Sequence, residues 1–423
     1  LRRELGVFGA TFLGLGSILG TGVFVSLGLV AGIAYGWTPW VVLAAAGVAT
    51  CNALSSAQLA AAHPQSGGTY EYGYRLIHPL AGFTAGWMFL CAKSASAATA
   101  ALGVSAYLLH GLGLSTGDAR ILLASGVVVL LTALVASGLR RSSDANVVVV
   151  TITLLALLAF VAFGSVALFG REPSLASVLR QTPQDLAWSQ LLQATALMFV
   201  AYTGYGRVAT LGEEVREPRK NIPRAIILTL VVSSLVYLLV SVVALWAFGG
   251  SRNLASTAES GALLAEVSRS FGYSFLPALL SVGAITAMIG VLLNLLLGLS
   301  RVLLAMGRRS DMPGFVAQIH EGNSSPVAAV VVVGVIVLGL TLMGSIKTAW
   351  SFSAFTVLVY YAITNLAALR LPKEDRLYPR LWSICGLVSC LLLAFWVDRT
   401  VWLAGLGVLS VGWIWFAVRR SRL

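Results

Sequence analysis

Two glycine-rich stretches, Gly14-Leu-Gly-Ser-Ile-Leu-Gly-Thr-Gly22 and Phe199-Val-Ala-Tyr-Thr-Gly-Tyr-Gly206, interrupt segments that are otherwise apolar and of membrane-spanning length. Backbone groups that such an interruption frees inside lipid must find other partners, so breaks are tolerated where they line a cavity. Interrupted spans at corresponding positions in two halves of a chain indicate a binding site near the middle of the bilayer. The pattern therefore predicts a polytopic membrane protein that binds a small molecule between its halves.

The composition of the whole chain agrees with this prediction. Of the 423 residues, 58% are hydrophobic and only 10% are charged, whereas soluble domains carry roughly 25% charged residues. Apolar segments of about 20 residues can be placed at twelve positions, so the sequence predicts an all-α membrane protein with twelve transmembrane helices. The predicted spans are residues 6–31, 38–62, 82–110, 119–138, 146–169, 188–211, 224–248, 273–306, 326–344, 348–370, 380–397 and 400–418.

The basic residues are distributed unevenly between the predicted loops. If the N-terminus is inside, most of the 28 Lys and Arg residues fall on the cytoplasmic side, where membrane proteins carry their excess of positive charge. We therefore expect both termini to be cytoplasmic and the protein to lie in the inner cell membrane. The net charge of +12 is explained by this topology and by anionic lipid headgroups, so nucleic-acid binding is not expected.

Several other functional classes lack the residues that they need. The His and Cys residues show no metal-ligand spacing, and the glycines from Gly14 to Gly20 lie in an apolar span rather than after a strand, as a dinucleotide-binding loop would require. We therefore expect no metal, no cofactor and no enzymatic activity. Close helix packing through Gly16 and Gly20 is an alternative explanation of the first stretch, but it does not explain the second.

Four segments of the chain resemble one known family. They are GSILGTGVF (Gly16 to Phe24), PQSGGTYEYGY (Pro64 to Tyr74), FVAYTGYGRVATLGEEVREPRKNIPRAI (Phe199 to Ile226) and GLSRVLLAMGRRSDMP (Gly298 to Pro313). On these segments the chain resembles the amino acid–polyamine–organocation (APC) superfamily of amino acid permeases, near the bacterial branch that is similar to cationic amino acid transporters. The resemblance covers about residues 6–326, and the last two predicted spans carry little identifying sequence.

The resemblance implies a leucine-transporter-type fold and secondary active transport of an amino acid by alternating access. Residues 1–170 would form the first inverted repeat (helices 1–5), residues 171–371 the second (helices 6–10), and residues 372–423 two peripheral helices. A sodium-coupled amino acid or amine symporter is the alternative. A channel, which would need a symmetric filter, and a non-transporting amino acid sensor are less favoured. The oligomeric state is not predicted.

The resemblance also places a substrate site at the two interruptions. Half-helix N-termini attract a carboxylate, and unwound carbonyls attract an ammonium, so a zwitterionic α-amino acid fits both ends. The carboxylate is expected at Thr21 and Gly22, whereas Tyr205 is expected to close over the substrate or to serve in ordinary helix packing. The implied substrate-binding residues are Ser17, Ile18, Thr21, Gly22, Val200, Ala201, Thr203 and Tyr205. The carbonyls expected to meet the amino group are those of Ile18, Val200, Ala201 and Thr203.

Energy coupling is expected to depend on Lys93. Many members of the superfamily carry a Lys in the fifth span, within a pattern like K-L-L-A-L-L, whereas this chain has Thr153 at that position. Lys93 lies about 16 Å into the third span, where a charge costs about 2.5–3.5 kcal/mol and is by default functional. We therefore expect proton coupling or exchange through Lys93.

A sodium ion is the alternative coupling partner. The resemblance implies a sodium site that would use Gly16, Leu19, Thr153 and Thr286, but Ala287 replaces the second hydroxyl of a strong site.

Arg207 and the acidic pair after it are further candidates. Arg207 is expected either to recognise an acidic substrate side chain or to pair with Glu213 or Glu214. The same glutamates are expected to pair with Arg75 or Arg301 when the inner gate is closed.

Overall fold

The structure of the protein is a computed structural model that describes residues 5–64, 67–114, 117–138, 143–170, 174–180, 186–210, 214–248, 261–320 and 325–421. The regular secondary structure of these residues is helical, and turns and irregular segments connect the helices. They contain no β-sheet and only two isolated bridges, Leu5 with Val215 and His320 with Ser325. The expectation of an all-α protein is confirmed for this part of the chain.

Helical segments occupy each of the twelve predicted positions. The first six helices are α1 (Val7–Ile18), α2 (Leu27–Ala34), α3 (Thr38–Ala62), α4 (Thr69–Leu76), α5 (Pro79–Gly111) and α6 (Gly117–Ala136). The next six are α7 (Ser143–Leu168), α8 (Leu175–Arg180), α9 (Trp188–Tyr202), α10 (Gly206–Ala209), α11 (Pro218–Ala247) and α12 (Leu263–Arg269). The last five are α13 (Leu276–Arg308), α14 (Val327–Leu342), α15 (Ile346–Leu369), α16 (Arg380–Ala394) and α17 (Arg399–Arg420).

Eight helical stretches within the described ranges have the length and the apolar composition needed to cross a membrane. The first runs from Val7 to Ala62 and combines the first two predicted spans, whereas α14 and α16 are apolar but shorter. The exact number of twelve crossings therefore stays a prediction.

Two helices begin earlier than the sequence indicates. Helix α11 begins at Pro218, before the predicted seventh span that starts at residue 224. Proline suits the first helical position, where its missing N–H costs no hydrogen bond, and Pro223 is then accommodated inside the helix. Helix α5 begins at Pro79 for the same reason, and this places Lys93 roughly 21 Å along the helix rather than 16 Å.

Helices from the first half of the chain pack against helices five spans further on. The pair α1 and α2 contacts α9 and α10, and the other contacts of this kind join α3 to α11, α5 to α13 and α6 to α14. The two broken helices therefore lie side by side. Helices α5 and α15, which are mostly buried, pack against each other.

Candidate functional site

The first break in the helical structure comprises Leu19, Gly20 and Thr21, between α1 and a π-helical turn at Gly22–Ser26. Leu19 leaves the helical conformation, with φ −78° and ψ 81°. The Thr21 hydroxyl is buried and has no hydrogen-bond partner among the described residues. An unpaired buried hydroxyl is costly, so this oxygen is available to a ligand group.

The second break is a single 3₁₀ turn, Thr203–Tyr205, between α9 and α10. The Thr203 hydroxyl donates to the carbonyl of Val200 at 2.8 Å, and the Thr203 carbonyl accepts from the Tyr361 hydroxyl at 3.2 Å. Tyr205 is fully buried, and its ring centroid lies 5.6 Å from that of Tyr361. The second break is thus held by side chains rather than by helical hydrogen bonds alone.

Two glycines allow the two breaks to touch. A Cβ atom on Gly204 would overlap the carbonyl of Ser17 and lie 2.6 Å from Cγ1 of Ile18. A Cβ on Gly22 would overlap the Tyr237 hydroxyl and lie 2.9 Å from Cβ of Ala201. The structure therefore brings together the residues that the sequence assigned to one site.

Tyr237 of α11 is a residue of this site that the sequence did not indicate. Its hydroxyl donates to the carbonyl of Ile18 at 2.7 Å and lies 3.3 Å from the carbonyl of Ala201. The hydroxyl of Tyr361 of α15 likewise donates a hydrogen bond to the carbonyl of Thr203. The sequence contains one signal that could have indicated this role, a tyrosine in the middle of an apolar span. A buried phenol needs a hydrogen-bond partner, so such a tyrosine predicts a hydrogen bond to a neighbouring helix.

The four carbonyls expected to meet an amino group all accept hydrogen bonds from side-chain hydroxyls. The acceptors are the carbonyls of Ile18, Val200, Ala201 and Thr203. A carbonyl oxygen has two lone pairs, and the carbonyls of Ile18, Val200 and Thr203 also accept backbone N–H groups. A ligand ammonium would therefore have to share or displace a hydrogen bond at these three carbonyls. Ser17 differs, since its hydroxyl donates to Leu13 within α1.

The ammonium group of Lys93 reaches the second break. Its Nζ donates to the Thr203 hydroxyl at 2.8 Å, and no acidic side chain of the described residues lies within electrostatic range of it. Protein surrounds this group, yet the side chain keeps some accessible surface. Lys93 is therefore enclosed by protein next to the second break, but its side chain is not completely covered.

The threonines of the sodium alternative lie on α7 and α13, the helices that pack against each other and against α1. Thr153 donates to Val149 and Thr286 to Val282, each at 2.8 Å within its own helix. No hydrogen bond in the described ranges joins either hydroxyl to Lys93.

The glycines of α1 and the first break face these same helices. A Cβ on Gly16 would overlap the Asn146 amide oxygen of α7, and a Cβ on Gly20 would lie 3.4 Å from the Ala287 carbonyl of α13. The coupling candidates therefore fall into two groups, with Lys93 at the second break and the threonines on helices beside the first.

Arg207 follows the second break in α10, within electrostatic range of Arg301 and Glu214. It forms no ion pair shorter than 4 Å among the described residues, and Glu213 lies outside them. Arg75 pairs instead with Glu71, at 3.8 Å.

A cluster of polar side chains, here called the latch, joins α4 to the end of α13. The hydroxyls of Tyr70 and Tyr74 both donate to the Asp311 carboxylate at 2.7 Å, and Arg309 pairs with Glu71 at 2.9 Å. Burial, and then the hydrogen bond to Asp311, raise the pKa of Tyr70 and Tyr74 well above the ordinary value. Both hydroxyls therefore remain protonated donors at neutral pH. Two of the four segments that carry the family resemblance thus bind to each other.

Comparison with known proteins identifies relatives along nearly the whole chain. Residues 9–419 match the family model described as amino acid permease. An uncharacterized transporter of Mycobacterium tuberculosis is 40% identical over 99% of this chain and 92% of its own length. The branched-chain amino acid permease BcaP of Bacillus subtilis is 26% identical over 98% and 89%. The human cationic amino acid transporter 4 is 29% identical over 89% of this chain and 61% of its own length.

Proposed function

The chain belongs to the amino acid permease family, and we propose that it is a secondary active amino acid transporter that works by alternating access. The family consists of permeases, so the prediction that the chain is not an enzyme is confirmed, as is the resemblance to the APC superfamily. The observation that carries the proposal is the contact of the two helix breaks. There the Tyr237 hydroxyl lies against the carbonyls of Ile18 and Ala201, beside Gly22 and the neighbouring Thr21, whose buried hydroxyl is unpaired.

The proposed binding mode uses the opposite charges of the substrate. The α-carboxylate is placed at the Thr21 hydroxyl and the backbone of Gly22, and the α-ammonium is placed at the carbonyls of the two breaks. Gly204 lets the breaks approach closely enough for one small molecule to span both. Tyr205 would then close the site through its contact with Tyr361.

The proposed architecture is the leucine-transporter-type fold with twelve crossings. Its support is the packing of each of the first four spans against the span five places later, which an inverted repeat of helices 1–5 and 6–10 would produce. Residues 1–170 and 171–371 are the proposed repeats, and residues 372–423 are the peripheral helices. The inner cell membrane and cytoplasmic termini are proposed from the positive-inside distribution of Lys and Arg.

The proposed coupling is to protons, or to exchange, through Lys93. The support is its hydrogen bond to Thr203, because a proton on Lys93 and a substrate at the second break would then affect each other directly. Sodium coupling through Thr153 and Thr286 remains the alternative, since each hydroxyl oxygen retains a free lone pair for a cation.

The decisive test of the function is counterflow in proteoliposomes that contain the purified protein. Vesicles preloaded with an amino acid mixture should take up labelled amino acid faster than empty vesicles, and uptake should saturate, because a carrier returns faster when loaded. A channel would give uptake that neither saturates nor responds to preloading. Binding without any uptake would indicate a sensor, and the proposal would then be wrong.

The latch gives a separate prediction about gating. Asp311→Asn should remove one of the two strong acceptors for Tyr70 and Tyr74, because an amide presents one oxygen and one donor. We expect a loss of about 1.5–3 kcal/mol of stability and a changed maximal uptake rate, measured by thermal unfolding and by uptake in proteoliposomes. Asp375→Asn is the matched control, since its ion pair with Arg219 is partly exposed and such pairs contribute about 0–1 kcal/mol. Equal effects of the two substitutions would show that the latch has no special role.

A further inference from the structure

The ammonium group of Lys93 lacks the partners that a buried charge requires. A lysine ammonium has three donors, and the one hydrogen bond that Lys93 makes in the described part of the chain goes to the Thr203 hydroxyl. The described spans offer no carboxylate within electrostatic range of it. Burying an unpaired charge is expensive, so an anionic group supplied by a ligand would satisfy this ammonium.

The position of Lys93 places such a ligand group in the substrate site. The Thr203 hydroxyl that accepts from Lys93 at 2.8 Å itself donates to the Val200 carbonyl at 2.8 Å. A substrate amino group at Val200 would be separated from the ammonium by one hydroxyl, so the two cations would repel each other. A carboxylate on the substrate side chain, lying against Lys93, would offset this repulsion and supply a missing hydrogen-bond partner. Arg207, four residues after Thr203, lies within electrostatic range of both Arg301 and Glu214, so two cations and one carboxylate lie on this side.

We propose that Lys93 binds a carboxylate on the substrate side chain, so that the transporter selects acidic α-amino acids and excludes those with cationic side chains. This proposal rests on the proposed function as an amino acid carrier. It differs from what the name of the human relative, a cationic amino acid transporter, would suggest for this chain. The reason is that no acidic side chain of the described residues lies within electrostatic range of Lys93, whereas Glu214 lies near Arg207 and Arg301.

The expected difference in affinity between amino acids with acidic and with cationic side chains is large. Two like charges about 5 Å apart in a protein with an effective dielectric constant near 20 repel strongly enough to lower affinity by more than about 100-fold. The α-ammonium of any substrate meets this repulsion, and a lysine or arginine substrate would add a second cation with no carboxylate to offset it. Glutamate and aspartate would instead gain a charge-assisted hydrogen bond, and we expect their affinity to exceed that of glutamine and asparagine by at least about 10-fold.

The test is competition for uptake in proteoliposomes, with glutamate, glutamine, aspartate, asparagine and lysine as competitors. Wild-type protein should prefer each acid over its amide, and Lys93→Met, which keeps the length of the side chain but not its charge, should lose that preference. Lys93→Arg, which keeps the charge, should retain the preference in equilibrium binding to the purified protein, where release of a proton, which arginine does not allow, is not required. Lys347→Met is the matched control, because Lys347 is exposed at the start of α15, and this variant should behave as wild type.

The outcomes separate this inference from the proposed function. If the wild type transports amino acids but binds glutamine as tightly as glutamate, or takes up lysine readily, the assignment of Lys93 is wrong and the carrier function stands. A preference for acids that survives in Lys93→Met would overturn it as well. If no amino acid shows counterflow in the wild type, the proposed function itself fails.

Discussion

Gly22→Leu should abolish amino acid uptake while the protein still folds and inserts into the membrane. Any side chain at this position meets the Tyr237 hydroxyl and Cβ of Ala201, so it must push the first break away from the second. The same side chain would occupy the place where the substrate carboxylate is proposed to approach the backbone. The measurement is uptake of labelled amino acid into proteoliposomes, together with thermal unfolding and size-exclusion chromatography of the purified variant.

The control for this prediction is a glycine in open surroundings. A Cβ on Gly47 of α3 meets no atom within 4 Å, so Gly47→Leu should leave uptake close to that of the wild type.

A second comparison tests whether the effect at Gly22 comes from steric overlap with the Tyr237 hydroxyl rather than from substitution of the glycine in general. Gly22→Ala should reduce uptake, and adding Tyr237→Phe should restore part of it because the overlapping hydroxyl is gone. Full uptake by Gly22→Leu would contradict the proposed site.

Sequence patterns predicted the positions of the helices and both breaks, because these features are local. The apolar composition of a segment of membrane-spanning length identifies it as a helix. Glycines in the middle of such a segment indicate where helical hydrogen bonds are lost. The proposed substrate contacts at Thr21 and Thr203 came instead from the family resemblance. Helix ends were less accurate, since the prolines that begin α5 and α11 lie in polar sequence before the apolar part of each span.

Partners that are distant in the sequence were not predictable from the pattern. Tyr237 donates a hydrogen bond to the carbonyl of Ile18, 219 positions earlier in the chain. No sequence motif near either residue indicates this contact. Lys93 stood out as a charge inside a span, but the sequence did not indicate its hydrogen bond to Thr203. The hydrogen bonds of the latch were not predictable for the same reason, since Asp311 follows Tyr70 by 241 positions.

The second large effect concerns the driving force for transport. In wild-type proteoliposomes, acid outside and neutral pH inside should drive accumulation of substrate, whereas a sodium gradient should have no effect. The protonated amine of Lys93 would bind the substrate on the outside. Once the substrate leaves on the inside, the ammonium is again unpaired in the protein interior, which is costly, so its proton is released to the inside and moves with the substrate.

The sign of this dependence follows from the location of Lys93. A lower external pH raises the fraction of protonated Lys93 in the outward-facing state and so raises uptake, whereas a lower internal pH opposes proton release and slows it. Lys93→Met cannot carry the proton, so its residual uptake should be independent of pH on both sides. Thr286→Val is the matched control, because it removes a hydroxyl of the sodium alternative and should leave the response to pH unchanged. Uptake that is stimulated by sodium and insensitive to pH in the wild type would refute proton coupling, and loss of that stimulation in Thr286→Val would assign coupling to Thr153 and Thr286.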